Sequence, residues 1–209
     1  MSRLPNALAV LTIMLAALTM SPGARAVPTL FNGHYYEWID NGAEIAWTDA
    51  RAAALALTYN GEPGYLVNIT AAEENAFVGS LAPDGWIGAT DKDVEGEWRW
   101  ADGPESGMLF WFGDETGSVV APFNFASWHP AEPNDFMDLF PGGEDYAHLS
   151  VGGVGGDGWN DLPNVERTPR SSYFVEYGSD LRLAPAPEPA TLVIFAFGLA
   201  GLGMMRRPR

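Results

Sequence analysis

The sequence predicts an α+β domain with two helices, small antiparallel sheets and a long loop region that carries ligand-binding residues. Two segments in the first half have helical composition, and short aromatic or β-branched segments lie around them. Between residues 102 and 164, glycine and proline are frequent and the aromatic residues show no clear period. A long irregular stretch inside a compact domain is usually functional, so we expect packed loops there.

The first half of the chain begins with a strand and a helix. Residues 34–39 are aromatic and β-favouring, which predicts the first strand. Thr48 is a suitable N-cap for a helix over residues 49–58, where alanine is abundant. A turn cluster of asparagine, glycine and proline follows, and residues 65–69 then predict a short buried strand.

A second helix is predicted to begin at Thr70, because Glu73 stands three residues later and the pair forms a capping-box pattern. It should end near Leu81, before Pro83. Apolar and alternating segments predict four further strands, over residues 86–89, 97–100, 146–151 and 172–177.

The N-terminus has the composition of a secretory signal peptide, residues 1–26. Arg3 precedes an apolar run over residues 8–20, and Ala24-Arg25-Ala26 provides a small-x-small cleavage site. A membrane anchor is the alternative, but the apolar core is short for a bilayer of about 30 Å.

The C-terminus combines a proline-rich linker, residues 181–189, with an apolar, arginine-ended segment, residues 190–209. Pro187-Glu188-Pro189, the glycine-containing apolar run and the final arginines together resemble the PEP-CTERM sorting tail. The resemblance implies a Gram-negative bacterium, transient membrane anchoring of the precursor, and an exosortase that removes the tail. The protein would then reach the cell surface or extracellular matrix. An ordinary single-pass anchor is the alternative.

The region between the two ends is strongly acidic and contains no cysteine. It holds all 27 acidic residues but only six basic ones, which leaves a net charge of −21. This charge argues against nucleic acid and anionic membranes as partners and suits divalent cations, although acidity also favours solubility. Because a disulfide framework is excluded, we expect stability to come from the aromatic-rich core and from bound metal.

Carboxylate and amide side chains are concentrated in two tripeptides of the predicted loop region. Glu132-Pro133-Asn134 and Trp159-Asn160-Asp161 each pair an acid with an amide, and Glu144-Asp145 lies between them. Hard oxygen donors from separate loops suit Ca²⁺, which takes about six to eight oxygen ligands in a tolerant geometry. An ion held at the surface in this way can keep positions open for two neighbouring sugar hydroxyls.

These tripeptides resemble the carbohydrate-recognition site of C-type lectins. Three further motifs resemble that family in order: residues 47–51 (WTDAR), residues 66–69 (LVNI) with 73–75 (EEN), and Trp86-Ile87-Gly88. The resemblance covers residues 31–177, within a domain that we assign to residues 27–180, and implies the C-type lectin-like fold. The family's two cysteine pairs are replaced here, one of them by Ala54 and Val175.

The resemblance implies two calcium sites. The first would bind calcium and sugar together through Glu132, Asn134, Glu144, Asn160 and Asp161, with a cis Glu132–Pro133 bond and a preference for mannose-type sugars. The second, auxiliary site would use Asp91, Glu95, Asp135, Glu144 and Asp145. Solvated loops without a ligand, and calcium that stabilises without binding sugar, are the alternatives for the first site. An acidic solvated turn at Asp91 and Asp93 is the alternative for the second.

We therefore expect an exported calcium-dependent protein that binds glycan or exopolysaccharide, and no enzymatic activity. A structural or adhesive matrix protein that binds protein, with calcium only holding the loops, is the alternative. Two aromatic insertions, residues 108–125 and 136–140, are expected to pack in the core or to wall the sugar site.

Overall fold

The computed structural model describes residues 26–136, 142–153, 156–165 and 171–181. They form two helices and a mixed, mainly antiparallel set of strands, as predicted for an α+β domain. The bounds in chain order are β1 Thr29–Phe31, β2 His34–Asp40, α1 Trp47–Leu55, β3 Thr58–Tyr59, β4 Glu62–Leu66, α2 Ala72–Leu81, β5 Asp84–Thr90, β6 Glu97–Trp100, β7 Leu109–Phe112, β8 Ser118–Val119, β9 Tyr146–Gly153, β10 Gly156–Leu162 and β11 Ser172–Tyr177.

The chain closes on itself through β11, which brings the N- and C-terminal strands side by side. Strand β11 pairs antiparallel with β2 and with β4, and contacts β5 in parallel. The order continues from β5 through β6 and β7 to β8. On its other side β5 pairs with β9, which pairs with β10. Strand β5 therefore links the closing sheet, through β9, to β10, which carries the Trp-Asn-Asp tripeptide.

The core consists of two hydrophobic clusters. One joins α2 to the aromatic side chains of the central strands, including the buried Trp98, Trp100 and Trp159. The other lies under α1 and contains both Ala54 and Val175, each fully buried. These two residues, which the resemblance aligns with a lost cysteine pair, belong to one packed cluster.

Gly88, the third residue of the Trp-Ile-Gly motif, permits a close approach of two backbone segments. Its N–H donates to the Val67 carbonyl at 2.8 Å. A Cβ atom at Gly88 would lie 2.5 Å from Asn68 Oδ1 and 2.6 Å from the Leu66 carbonyl oxygen. No side chain fits there, because backbone carbonyls cannot move aside cheaply.

A buried polar network connects β2, α2 and β11. His34 Nδ1 is hydrogen-bonded to Glu176 Oε1, and Nε2 lies 3.1 Å from Asp180 Oδ1. The Tyr36 hydroxyl donates to Glu74 Oε1 at 2.7 Å, and the Asn68 N–H donates to Glu176 Oε2 at 3.1 Å. The network satisfies acids that would be costly to bury alone.

The predicted helix starts were wrong, although Leu81 does end α2. Helix α1 begins at Trp47, not after a Thr48 cap, and ends at Leu55 because residues 58–63 form a hairpin around Asn60-Gly61. Helix α2 begins at Ala72, and neither helix has a side-chain N-cap bond.

The predicted capping box between Thr70 and Glu73 was also wrong. Glu73 is exposed, and it is the buried Glu74 whose Oε2 accepts from the Thr70 N–H at 2.7 Å. Burial therefore selected the partner, because Glu74 is held inside by the Tyr36 hydroxyl.

Several strand predictions differed in their bounds, and five strands were missed, among them the short β1 and β3. Strand β4 ends at Leu66, earlier than predicted, and β5 and β9 are longer. The region predicted as loops contains β7, β8 and β10, so the Trp-Asn-Asp tripeptide lies on a strand and not on a loop.

Several predictions fall outside the described residues. These are the signal peptide, apart from its last residue, the tail over residues 190–209, most of the linker, and Met137, Leu139 and Phe140 of the second insertion. Within the ranges that the structure does describe, no helix is long and apolar enough to cross a membrane.

Candidate functional site

The two acid–amide tripeptides meet at Asp161. Its Oδ2 atom accepts hydrogen bonds from the main-chain N–H groups of Asn134 and Asp135, at 2.9 and 2.8 Å. The peptide bond between Glu132 and Pro133 is cis, as the resemblance implied. The preceding loop lies against β10, because the His129 N–H donates to the Trp159 carbonyl at 2.8 Å.

Buried negative charge is concentrated where the tripeptides meet. Asp161 is 1% exposed, and its Oδ1 atom has no hydrogen-bond partner among the described residues when the neighbouring carboxyl groups are ionised. Burial, contact with Asp161 and repulsion from Glu144 raise the pKa of Glu132 to about 9. Such crowding would be relieved by a bound cation.

Asn134 presents the most accessible amide of this group. Its side chain is exposed, and its Nδ2 donates to Glu132 Oε2. The amide oxygen and the second N–H are the groups that can serve a metal ion and a hydroxyl ligand. Phe136, two residues further, is 46% exposed, so the core-packing expectation fails for this residue of the second insertion.

Two hydrogen bonds join the start of the loop after Asn134 to Glu144 near its end. The Glu144 N–H donates to Asp135 Oδ1 at 2.9 Å, and the Phe136 N–H donates to Glu144 Oε2 at 3.0 Å. Gly143 has a φ of 83°, and a Cβ there would lie 2.7 Å from Asp135 Oδ1. The glycine lets the loop close tightly over the Asp135 carboxylate.

Asn160 stands apart from this hydrogen-bonded group. It is half-buried on β10, opposite His148, and its main-chain oxygen lies 3.4 Å from His148 Nδ1. Among the described residues, no hydrogen bond joins its side-chain amide to Glu132, Asn134 or Asp161. The structure therefore places Asn160 next to Asp161 in the chain without linking its amide to that network.

A second acidic group lies at the end of β5. Carboxylate oxygens of Asp91, Glu95 and Asp145 all lie within 4.8 Å of one another. Asp91 is 3% exposed, so the solvated-turn alternative does not hold for it, whereas Asp93 is exposed. Burial, together with the charges of Glu95 and Asp145, raises the pKa of Asp91 to about 8.

Hydrogen bonds that involve main-chain groups hold the second acidic group in position. Asp91 Oδ2 accepts from the Gly96 N–H at 2.9 Å, which closes the turn that carries Glu95. The Thr90 hydroxyl donates to the Asp145 carbonyl at 2.8 Å and ties β5 to the start of β9. Asp91 Oδ1 is buried without a hydrogen-bond partner among the described residues. An unsatisfied buried oxygen beside two carboxylates fits a hard dication such as calcium.

The two acidic groups are close enough for their charges to interact. After burial, the charge of Asp135 is the main cause that raises the pKa of Glu95. Glu144 repels Glu132 in the same way. The charges of Asp135 and Glu144 therefore act on the Asp91 group and on the Asp161 group, respectively.

Sequence reasoning missed three contributors. Thr90 positions Asp145, Gly143 lets the loop close, and Lys92 Nζ donates to Asp145 Oδ2 at 2.8 Å. Gly142-Gly143 before Glu144 was a usable signal for a tight loop. The role of Lys92 depends on the pairing of β5 with β9, which local sequence does not reveal.

Comparison with known proteins identifies relatives of both parts of the chain. The family model described as "PEP-CTERM protein-sorting motif" matches residues 185–207, and this motif implies export. The chain is 33% identical over 151 residues to Halomucin of Haloquadratum walsbyi, which covers 72% of this chain and 2% of that protein. It is 36% identical over 103 residues to asialoglycoprotein receptor 1 of Rattus norvegicus, which covers 48% of this chain and 29% of that protein. The chain thus spans less than a third of either relative's length.

A solved structure with a similar fold is the cow C-type carbohydrate-recognition domain of CD23, determined in the presence of a GlcNAc2Man3 oligosaccharide. The TM-score is 0.51 at 25% identity, and the match covers 78% of this chain and 99% of that one. This chain therefore has the C-type lectin-like fold and carries a PEP-CTERM sorting motif near its C-terminus.

Proposed function

We propose that the protein is an extracellular, calcium-dependent lectin that recognises neighbouring hydroxyl groups of mannose-type sugars. The observation that carries this proposal is the convergence of Glu132, Asn134 and Asp161, from two distant segments, around a buried unsatisfied carboxylate oxygen. Asn134 remains exposed, so the group combines a cation-binding interior with a solvent-facing amide.

The more buried residues of the site would bind the metal ion, and the more exposed ones would also contact the sugar. Glu132, Glu144, Asn160 and Asp161 would hold calcium together with Asn134. Calcium, when bound, supplies open coordination positions for two sugar hydroxyls. Asn134 would donate a hydrogen bond to a sugar oxygen and Glu132 would accept one from a hydroxyl, because carboxylates only accept when ionised. The exposed Phe136 provides an apolar surface beside them.

The auxiliary group would hold a second calcium ion and order the loops. Asp91, Glu95, Asp135, Glu144 and Asp145 supply oxygens from the end of β5, the following turn and the loop before β9. Without a cation these carboxylates repel one another, so a bound ion would stabilise the loop that carries Asp135 and Asp145.

The ends of the chain set where this activity would take place. We propose that residues 1–26 direct export and that an exosortase processes the sorting motif after a transient anchored stage. Glycan or exopolysaccharide at the cell surface or in the matrix would then be the partner.

A second function, a calcium-stabilised adhesive matrix protein that binds protein, is favoured by one observation. Asn134 Nδ2 donates to Glu132 Oε2, so the two groups that would face a sugar are bonded to each other. In that case the amide would serve only to order the loop. We propose no enzymatic role, because the paired carboxylates that could act in hydrolysis are those assigned to the cation.

The deciding experiment is retention on a mannose resin in calcium with elution by a chelator. Asn134→Ala should abolish retention, and Asn41→Ala, which removes an exposed amide from the turn after β2, should not. With chelator present, both variants should melt within about 2 °C of wild type, as expected for exposed positions. Retention of Asn134→Ala at the wild-type level would overturn the assigned site, and failure of a glycan panel in calcium would favour the adhesive function.

A further inference from the structure

All the lysine and arginine residues within the described part of the chain face one cavity. Arg51, Lys92 and Arg99 line a cavity of about 280 Å³ between α1 and β6. They come from a helix, a turn and a strand, so their convergence is a property of the fold. In a domain with a strong excess of acid, this cavity is the one place in the described ranges where cations are concentrated.

Each cation is held in position by a carboxylate on one side. Arg51 donates from Nε and Nη2 to Asp102 at 2.6 and 2.9 Å, and its guanidinium lies 5.7 Å from the Trp47 ring centroid. Arg99 Nη2 donates to Glu97 at 2.7 Å, and Nη1 to the Gly107 carbonyl at 2.8 Å. Both guanidinium groups keep further N–H donors, because five are available on each.

Exposure makes these donors accessible to a ligand. The side chains of Arg51, Lys92 and Arg99 are 40%, 55% and 39% exposed. Trp47 and Trp100 form part of the cavity wall, although they are only 2% and 1% exposed. The volume is near the lower end for ligand pockets, which begin at roughly 300 Å³, so it suits a single monosaccharide unit.

The charge balance of the cavity depends on the neighbouring acidic group. Asp91, Asp93 and Glu97 also line it, so the cations are matched by carboxylates. Glu97 is paired with Arg99, and Asp91 belongs to the group proposed to hold calcium. A cation on Asp91 and Asp145 would offset part of this negative charge and would compete with Lys92 for Asp145.

We propose that this cavity is a second ligand subsite that binds a carboxylate-bearing sugar unit, such as a uronate of an acidic polysaccharide. The proposal extends the proposed lectin function, since it assigns acidic glycan as the partner. Arg51 and Arg99 would bind the carboxylate through charge-assisted hydrogen bonds.

The test compares sodium glucuronate with the neutral methyl glucoside in saturating calcium. The two probes are titrated against the exported protein while the indole N–H signals of Trp47 and Trp100 are followed by NMR. Wild type should bind glucuronate at least about fivefold more tightly, as expected for one charge-assisted hydrogen bond. Arg99→Gln and Arg51→Gln should each remove that preference without changing the affinity for methyl glucoside.

The outcome separates this proposal from the lectin function. Glucuronate binding that depends on Arg99 and persists in Asn134→Ala would support the subsite even if mannose retention fails. Equal affinity of wild type for the two probes, or an undiminished preference in both folded arginine variants, would overturn the subsite and leave the mannose experiment to decide the lectin function.

Discussion

Asp161 accepts a hydrogen bond from the main-chain N–H of Asn134 at 2.9 Å, across 27 residues of sequence. This bond joins the Glu-Pro-Asn tripeptide, which lies on a loop, to the Trp-Asn-Asp tripeptide, which lies on strand β10. The carboxylate is therefore both a structural acceptor for the loop and the most buried candidate ligand of the site.

Calcium should raise the melting temperature of the exported domain, and magnesium should raise it much less. The acidic groups at Asp91 and Asp161 offer oxygens in irregular positions, which calcium tolerates and octahedral magnesium does not. Binding at a concentration 100 times the Kd would add about 2.7 kcal/mol of stability. Differential scanning calorimetry with calcium, magnesium and chelator measures this effect. Superimposable melting curves would contradict both proposed metal sites.

Asp161→Asn should separate the structural role of this side chain from its metal role. The amide oxygen can still accept from Asn134 and Asp135, while one buried negative charge beside Glu132 is removed. We expect the chelator-treated variant to melt a few degrees higher than wild type, corresponding to about 1 kcal/mol. The stabilisation by calcium should fall by more than half. A calcium shift equal to that of wild type would show that Asp161 is not a ligand.

Asn160→Ala should weaken sugar binding more than folding. The residue is half-buried at a strand position where its main chain supplies the pairing with β9, so truncation leaves the strand intact. Loss of one amide that contacts metal and ligand should reduce affinity about tenfold or more. Frontal chromatography on mannose resin, with thermal unfolding as the control, measures both effects. Unchanged retention would remove Asn160 from the site.

Stability should decrease as the pH rises, because two buried groups of the β2–α2–β11 network have raised pKa values. Burial, reinforced by the charge of Glu176, raises the pKa of Glu74 to about 7. Burial opposes protonation of His34, but the bonds to Glu176 and Asp180 outweigh it and raise its pKa to about 9. The folded state therefore binds more protons than the unfolded state from about pH 4.5 upwards, first through Glu74 and then through His34.

The contribution of His34 is fully present below about pH 6.5 and is lost as the pH approaches 9. Urea unfolding from pH 5 to pH 9 in a chelator should show the decline, at about 1–3 kcal/mol for His34. His34→Gln should flatten the upper part of the curve, and Glu74→Gln the lower part. The groups that face His34 in the structure are Glu176 and Asp180, with Tyr36 and Glu74 next in the network. A wild-type curve that rises between pH 7 and 9 would contradict the assignment.

Gly88→Ala should destabilise the domain by about 1–3 kcal/mol, because the added methyl group has no room. It would meet Asn68 Oδ1 at 2.5 Å and the Leu66 carbonyl at 2.6 Å. Gly142→Ala is the matched control, since a Cβ there meets nothing within 4 Å. Urea midpoints report the difference. Equal midpoints for the two variants would mean that the segments at Leu66 and Gly88 separate more easily than the structure indicates.

Features that depend on neighbouring residues were predicted well from the sequence, and features that depend on distant contacts were not. Strands such as β6 and β11 were predicted well, because alternation and β-branched composition are local signals. The helix starts were wrong, because burial of Trp47 and Glu74 overrode the local capping signals of Thr48 and Thr70. Strand β10 was missed, because Gly156 and Gly158 weaken its composition while its pairing with β9 stabilises it.

Local and long-range information also differ in what they reveal about the candidate site. The residue types and their order predicted that acids and amides from separate segments would share a hard cation, since few other uses suit such a set. Asn160 shows the limit of this reasoning, because its neighbour Asp161 enters the hydrogen-bond network and its own amide does not.

From composition and residue order alone, the α+β class, the acidic character, the lack of cysteine and the two acid–amide tripeptides could be established, because these depend on neighbours in the chain. Only the tertiary structure decided which oxygens are buried without partners, and that Arg51, Lys92 and Arg99 face one cavity. Those relationships arise where β5, β9 and β10 pair and where Arg51 of α1 bonds to Asp102 after β6. Pairing between distant segments depends on how the whole domain packs and not on local preference.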